Sequence, residues 1–301
     1  MDQYFLSRVR RMIDSIGKKE IYEGIIISDE RKDKELKWDH RTINHSTFAK
    51  VSFKESTLSN CNFSLSVFID CYFKKTSLEN INFVGCKFIN CTFDNIKLVQ
   101  CDIRFTVFEN CYIEYDEVKN CLPAQSNIRW KMCTNLALES LRAGDSENYR
   151  KFFFEEKSAC EEHYLGMLLQ KEKYYKQKYD TIDRIVGLIK YINSQISKLI
   201  WGYGERIQNL VVVIFFILLI FAICYNMQDS VFKEANSSQA IAKKLNFSES
   251  LYLSFCNFLT ITSDFTSINP FVRTITVIEG TFGVVLMGFF VAALFRFINR
   301  R

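Results

Sequence analysis

The sequence predicts a multidomain membrane protein: a four-sided β-solenoid, then a helical connector, then two membrane-spanning helices flanking a re-entrant segment. Three observations carry this. Apolar residues recur every five positions from Phe48 to Val118. The residue types within that run repeat again every twenty. Two long apolar runs lie near the end of the chain.

The composition sets the frame. The 301 residues are 48% hydrophobic and 24% charged, which excludes a wholly disordered chain. Two prolines and 11 glycines exclude collagen-like and linker-rich architectures. The net charge of +5 is spread along the chain, so nucleic acid is not an expected partner. A mean hydropathy of −0.03 beside so many charges requires a very apolar segment somewhere.

The period of five is read first. Phe48, Phe53, Leu58, Phe63, Phe68, Phe73, Leu78, Phe83, Phe88, Phe93, Leu98, Ile103, Phe108, Ile113 and Val118 stand on one grid. Two positions earlier there is usually a small residue, among them Ser46, Cys61, Ser66, Cys71 and Thr76. This spacing fits neither a helix nor a simple strand. It fits a coil in which each pentad makes one side. Phe48, Phe68, Phe88 and Phe108 share a residue type, and Leu58, Leu78, Leu98 and Val118 are all aliphatic. Like residues twenty apart mean four pentads per coil, stacked at about one strand spacing.

The cysteines follow the same grid. Those at 61, 71, 86, 91, 101, 111 and 121 occupy small inward positions, where a free thiol packs as a small hydrophobe. Cys71, Cys91 and Cys111 are expected in one column, and Cys61, Cys101 and Cys121 in another. A redox pairing of Cys71 with Cys91 is the alternative to plain packing. No C-x-x-C pair occurs and there are three histidines, so no metal site and no cofactor are expected.

These pentads resemble the pentapeptide-repeat family over roughly 44–121, which implies a right-handed quadrilateral β-helix. Some members imitate DNA with an acidic surface. Here eight basic residues face nine acids between 46 and 121, which argues against that role.

The second half reads as membrane. Residues 207–227 carry no charge, and 274–295 carry only Glu279. Each is long enough to span, since a bilayer needs ~20 apolar residues in helix. Lys190, Lys198 and Arg206 precede the first run, and Arg296, Arg300 and Arg301 follow the second. The positive-inside rule then places both termini in the cytoplasm, at the plasma (inner) membrane. Residues 1–20 are charged throughout and do not read as a signal peptide. The cytoplasmic repeat is therefore expected to keep reduced thiols.

Between the runs, Ser248 and Glu249 open a short apolar helix that breaks into Thr260, Ile261, Thr262, Ser263 and Asp264 before Pro270. The layout over 207–298 resembles the two-transmembrane, potassium-channel-type pore. That resemblance implies a homotetramer, a pore lined at 260–264, and permeating inorganic ions. Thr260 and Ile261 match the filter pattern of that family. Thr262 and Asp264 stand where it has glycines, so its carbonyl ladder and potassium selectivity are not expected. A ring of Asp264 favours cations, giving a weakly selective cation pore. Glu279 is an intramembrane acid, expensive unless it meets a partner, water or the pore. It is expected either to bond the Thr262/Ser263 region, to line the pathway, or to satisfy itself on a backbone carbonyl. Gly280 and Gly283 flank it, and Gly283 is assigned with it to pore or filter support.

Trp201, Gly202, Tyr203, Gly204, Glu205 and Arg206 immediately precede the first span. With Gly144-Asp145 and Glu279-Gly280, they resemble bacterial pentapeptide-repeat ion-channel proteins over about 44–298. Trp201, Tyr203 and Arg206 are assigned to the interfacial junction, where an aromatic belt is the plain reading.

The connector reads as a helix hairpin around Gly144-Asp145, followed by one apolar face at Ile182, Ile185, Val186, Ile189, Ile192, Ile196, Leu199 and Ile200. That face packs either on neighbouring helices and subunits or on the membrane, with Lys190 and Lys198 near lipid phosphates. Tyr4, Phe5, Val9, Met12, Ile13 and Ile16 make the N-terminal stretch amphipathic, and it is expected to cap the solenoid. The expected domains are thus 1–43 (cap), 44–122 (β-helix), 123–206 (connector) and 207–301 (pore). Within the last, the first span is 207–227, the pore helix and filter 248–268 and the second span 271–297.

The expected function is a tetrameric ion channel with a cytoplasmic sensor or adaptor domain and an unidentified protein partner on the solenoid. The alternative is a membrane-anchored scaffold with a non-conducting hairpin. No nucleophile elbow, phosphate loop or zinc-protease motif supports an enzyme. With Arg301 last, gating input is expected through the N-terminal half, voltage, tension or lipid.

Overall fold

A computed structural model of the protein describes residues 21–28, 35–227, 232–234, 245–263, 265–267 and 269–298. The amphipathic stretch expected to cap the solenoid, Tyr4 to Ile16, lies outside them. The described residues divide into two compact units, Met1–Leu188 and Ile189–Arg301.

The first unit opens with a β-solenoid whose short strands run from Ile21 to Glu109. Ile26–Ser28, Thr47–Ala49, Val67–Ile69, Lys87–Ile89 and Val107–Glu109 pair in parallel down one face. Lys37–Asp39, Thr57–Ser59, Ser77–Glu79 and Lys97–Val99 form a second. The register sets Phe48 beside Phe68 and Phe68 beside Phe88, the step of twenty. Their rings stack at 4.6 and 4.7 Å between centroids. Every second residue of a strand points inward, so a three-residue strand needs one large apolar residue at its centre. That residue is the one on the five-residue grid.

The corners need a left-handed residue. His40, His45, Lys50, Asn60, Asp70, Asn80, Asn90 and Asn110 all have φ near +50°. Asparagine and aspartate tolerate this conformation best after glycine. Successive corner side chains also bond along the stack, Asn80 Nδ2 to Asn60 Oδ1 at 2.8 Å and Asn110 Nδ2 to Asn90 Oδ1 at 2.8 Å.

The solenoid starts earlier than the expected residue 44. Trp38 and Ile43 are buried on the same grid. Further upstream, Ile21–Glu23 pairs with Thr42–Asn44 and Ile26–Ser28 with Thr47–Ala49, an offset of 21 instead of 20. One extra residue thus moves Tyr22 and Ile27 off the grid while leaving them buried. At the other end the pattern outlasts the strands. Ile113 and Val118 remain buried, but Val118 belongs to a short helix, α1 (Tyr115–Val118).

Beyond it, α2 (Ser126–Arg142) and α3 (Ser146–Leu169) form a hairpin, with Asp145 capping α3 by accepting from the Glu147 and Asn148 amides. This hairpin covers the C-terminal end of the solenoid. Asn135 accepts from the Phe108 amide at 2.9 Å and donates to its carbonyl at 2.8 Å, as a next strand would. Asn148 likewise accepts from Tyr115 N and donates to Ile113 O. A buried strand edge left open would cost free energy, and these amides close it. The unit continues through α4 (Lys173–Lys178) into α5 (Thr181–Trp201).

The second unit is helical: α6 (Ile207–Met227), α7 (Phe247–Phe258) and α8 (Pro270–Ile298). Phe232–Glu234 and Phe265–Ser267 pair as an antiparallel ribbon between them. The mean hydropathy reaches 2.9 in α6 and 2.1 in α8, and both are long enough to cross a membrane. The core helix of a water-soluble protein buries most of its surface. Here only 11% of the apolar window of α6 and 22% of that of α8 is buried.

Candidate functional site

The site is the place where α7 is wedged between α6 and α8. Its start is set by a capping box two residues earlier than Ser248 suggested. Asn246 is the cap, and its backbone amide donates to Glu249 at 2.9 Å. A cap of this kind satisfies the first free amides of the helix. Asn226, at the end of α6, donates to the Leu245 carbonyl at 3.2 Å and ties the approach to α7 to the span.

Glu279 of α8 is fully buried. It accepts from the Tyr225 hydroxyl of α6 at 2.6 Å, from the Ser254 hydroxyl of α7, and from Asn257 Nδ2 at 3.4 Å. Asn257 also lies 3.2 Å from the Tyr225 oxygen, and Ser254 Oγ 3.1 Å from the Leu218 carbonyl. One carboxyl therefore joins three helices. Of the three expectations for Glu279, the structure brings it to neither Thr262 nor Ser263. Its partners are Ser254 and Asn257, farther back along α7, and Tyr225 of α6, and they are side chains instead of a backbone carbonyl. Sequence reading missed Tyr225, Ser254 and Asn257. A signal existed: Ser254 and Asn257 sit three apart on one face of the otherwise apolar second half of α7, and Tyr225 is a polar tip at the end of an apolar run.

Glycines set how closely α8 approaches. A Cβ on Gly283 would run into the Phe258 carbonyl, so only glycine lets the backbones meet there. A Cβ on Gly280 would rest at an ordinary 3.5 Å from the Asn257 carbonyl. Below this contact, Leu210, Phe258 and Leu286 form a buried cluster, with Trp201 and Phe289 packed against it.

The C-terminal end of α7 has a defined stop. The Thr260 amide donates to the Asn257 carbonyl at 3.0 Å, and the Ile261 amide to the Cys256 carbonyl at 2.8 Å. This bonding pattern needs a left-handed residue after the cap, usually glycine. Here it is Thr260, at φ 55°. A β-branched residue in that conformation is strained, and such strain gathers at functional sites. Thr260, Ile261 and Thr262 are exposed and Ser263 is half-buried, with its hydroxyl on the Phe265 carbonyl at 2.9 Å. Asp264 lies outside the described residues.

The junction before α6 is a tight turn. Gly202, Tyr203 and Gly204 all have positive φ, at 56°, 61° and 84°. Trp201 donates to Ser197 Oγ at 2.9 Å, and its ring meets Phe289 at 4.8 Å. The Arg206 amide closes the turn on the Trp201 carbonyl at 3.1 Å. Arg296 of α8 donates to the Tyr203 carbonyl at 3.3 Å. A Cβ on Gly204 would lie 2.6 Å from the Arg296 guanidinium, so this glycine makes room for the contact. Trp201 and Tyr203 thus have specific partners within the protein, beyond an aromatic belt.

An ion-channel family matches residues 209–300, which hold α7, α8 and nearly all of α6. A pentapeptide-repeat family matches in eight copies over 46–83 and 66–104. Nothing matches the chain among curated proteins. The chain therefore carries pentapeptide repeats, folded as a β-solenoid, and an ion-channel domain that follows them.

Proposed function

We propose that four copies of the chain assemble around the segment 260–264 and conduct inorganic cations with weak selectivity. The observation that carries this reading is the three-helix clamp on Glu279. It holds α7 as a short helix between two spans and leaves Thr260–Thr262 exposed at its end. Irregular backbone at membrane depth is tolerated only against protein or a water-filled cavity. Further copies would supply both. The C-terminal end of a helix carries partial negative charge, which favours a cation beside it. Asp264 follows Ser263 in the sequence and brings an acidic residue to this segment.

In this reading both termini lie in the cytoplasm at the inner membrane, and the solenoid acts there as a sensor or adaptor for a protein partner. The turn at 202–204 is the natural point of transmission, because it touches the end of α8 through Arg296. Gly283 holds α8 against the end of α7, and Glu279 positions α7 itself. The test is single-channel recording from the purified full-length protein in planar bilayers. Current steps reversing toward the cation potential in a KCl gradient support it. Silence under varied voltage, tension and cytoplasmic extract favours a membrane-anchored scaffold instead.

A further inference from the structure

The helix α5 is amphipathic, and it is turned inside out. Most of its less exposed positions are polar or small, the exceptions being Ile200 and Trp201 at its end, which pack on the Leu210, Phe258 and Leu286 cluster. Asp183, Tyr191, Ser194 and Ser197 are half-buried, and Gly187 is buried against Met167 and the Tyr164 carbonyl. The junction folds onto the same face, Tyr203 Oη at 3.3 Å from Ser194 Oγ and Trp201 Nε1 on Ser197. Its apolar face points outward. Ile182 is 76% exposed, Ile189 54%, Ile192 47%, Ile196 48% and Leu199 72%. At 3.6 residues per turn, these positions with Ile185, Val186 and Leu188 cover an arc of roughly 160°. Contiguous apolar surface of this extent on a folded protein marks an interaction site.

We infer that α5 lies in the surface of the bilayer, with its isoleucine face among the acyl chains. Three observations choose lipid over a second copy of the chain. The face ends at Leu199, and the exposed apolar surface of a membrane span resumes a short turn later, at Val211, Val212, Phe215 and Phe216. Its charged residues all avoid the apolar arc: Arg184 and Lys190 flank it on opposite sides, and Asp183 and Lys198 lie beyond. Only Asp183 is acidic, so the helix is net basic, as suits anionic headgroups. Twenty-one residues in this setting rim the cytoplasmic leaflet and do not cross it. This inference rests on the membrane reading of α6 and α8, and not on conduction.

Spin labels on the full-length protein in phosphatidylcholine/phosphatidylglycerol vesicles test it. Labels go singly on Ile192→Cys, Leu199→Cys, Lys198→Cys and Phe216→Cys, with the unsubstituted protein as background. Ile192→Cys and Leu199→Cys are expected to collide more with oxygen than with a water-soluble nickel chelate, and Lys198→Cys the reverse. Nickel-dominated collisions at Ile192→Cys and Leu199→Cys would overturn the inference, as would protection from both probes with spin–spin broadening, the sign of a second copy. Phe216→Cys, on α6, reports insertion independently: oxygen-dominated there with nickel-dominated α5 labels sinks this inference alone, whereas nickel-dominated at both sinks the membrane reading with it. Leu199→Lys with retained vesicle insertion is a second check, expected to shift Ile192→Cys toward water.

Discussion

Tyr225 donates a hydrogen bond to Glu279 at 2.6 Å, across two helices that each can span a bilayer. Ser254 and Asn257 bring the intervening short helix to the same carboxyl. An acid in such a place is expensive unless its partners are fixed, and here they are fixed on two other helices, α6 and α7. The contact ties α7 to both long helices, with Thr260, Ile261 and Thr262 after it exposed.

Replacing Glu279 tests that unit. Glu279→Gln keeps an acceptor oxygen and gains a donor that the Tyr225 or Ser254 hydroxyl can accept. Tetramers and current are expected to persist. Glu279→Ala takes the acceptor from the buried Tyr225 hydroxyl, at about 1–3 kcal/mol, and leaves Ser254 only the Leu218 carbonyl, so assembly or current is expected to be lost. Size-exclusion chromatography of the detergent-solubilised variants reads the first, and bilayer recording the second. Parent-like behaviour of Ala would remove the special role of this residue.

Gly283 and Gly280 make a matched pair. Gly283→Ala places a methyl group against the Phe258 carbonyl and is expected to cost about 1–3 kcal/mol, the usual toll of overpacking. Gly280→Ala meets only ordinary contact and is expected to be tolerated. Thermal unfolding of the two variants in one detergent gives the comparison. Equal melting temperatures would mean that the α8 backbone does not meet the Phe258 carbonyl at Gly283.

In the solenoid, Phe68 stacks between Phe48 and Phe88, and Phe68→Ala is expected to cost about 3–5 kcal/mol. Lys87, beside Phe88 on the next coil, pairs with Glu109 on the surface, and Lys87→Ala is expected to change stability by no more than about 1 kcal/mol. Urea denaturation followed by far-ultraviolet circular dichroism separates them. Indistinguishable midpoints would contradict the inward register of the five-residue grid.

Burial pushes the Cys86 thiol up to about 12, and the Cys133 thiol likewise. Their folded pKa values lie above the unfolded value of about 8.5, so the fold favours the neutral thiol. That preference contributes fully below about pH 8.5 and is lost as pH rises toward 12. The native protein is therefore expected to alkylate slowly at pH 8 at both positions, and rapidly once unfolded in urea. Mass spectrometry of iodoacetamide-treated protein measures this. Fast native labelling of Cys86 would show a thiolate that the fold does not disfavour.

Much of this architecture was legible because it rests on repetition. Phe48, Phe68, Phe88 and Phe108 face a shared axis, and a shared environment selects a shared residue. The first coil was hidden by a single extra residue that displaces Tyr22 and Ile27 from the grid. The spans announced themselves by length and hydropathy. The partners of Glu279 were harder to see, because Tyr225, Ser254 and Asn257 come from distant stretches and meet only in three dimensions. The same holds for Asn135, whose amide closes the solenoid on Phe108. Nothing local marks one helical asparagine as the end of a β-stack. Thr260 shows another limit: its place in the sequence suggested a filter residue, while the left-handed backbone by which it ends α7 had no sequence signal, since glycine usually holds that position.

Single-channel recording with the full-length protein tests the central claim most directly. In a bilayer with a tenfold KCl gradient, discrete openings are expected that reverse between zero and the potassium equilibrium potential. Replacing KCl by NaCl on one side is expected to shift that reversal only slightly. Reversal on the chloride side, or no openings from protein that chromatography shows to be an intact tetramer, would contradict a weakly selective cation channel.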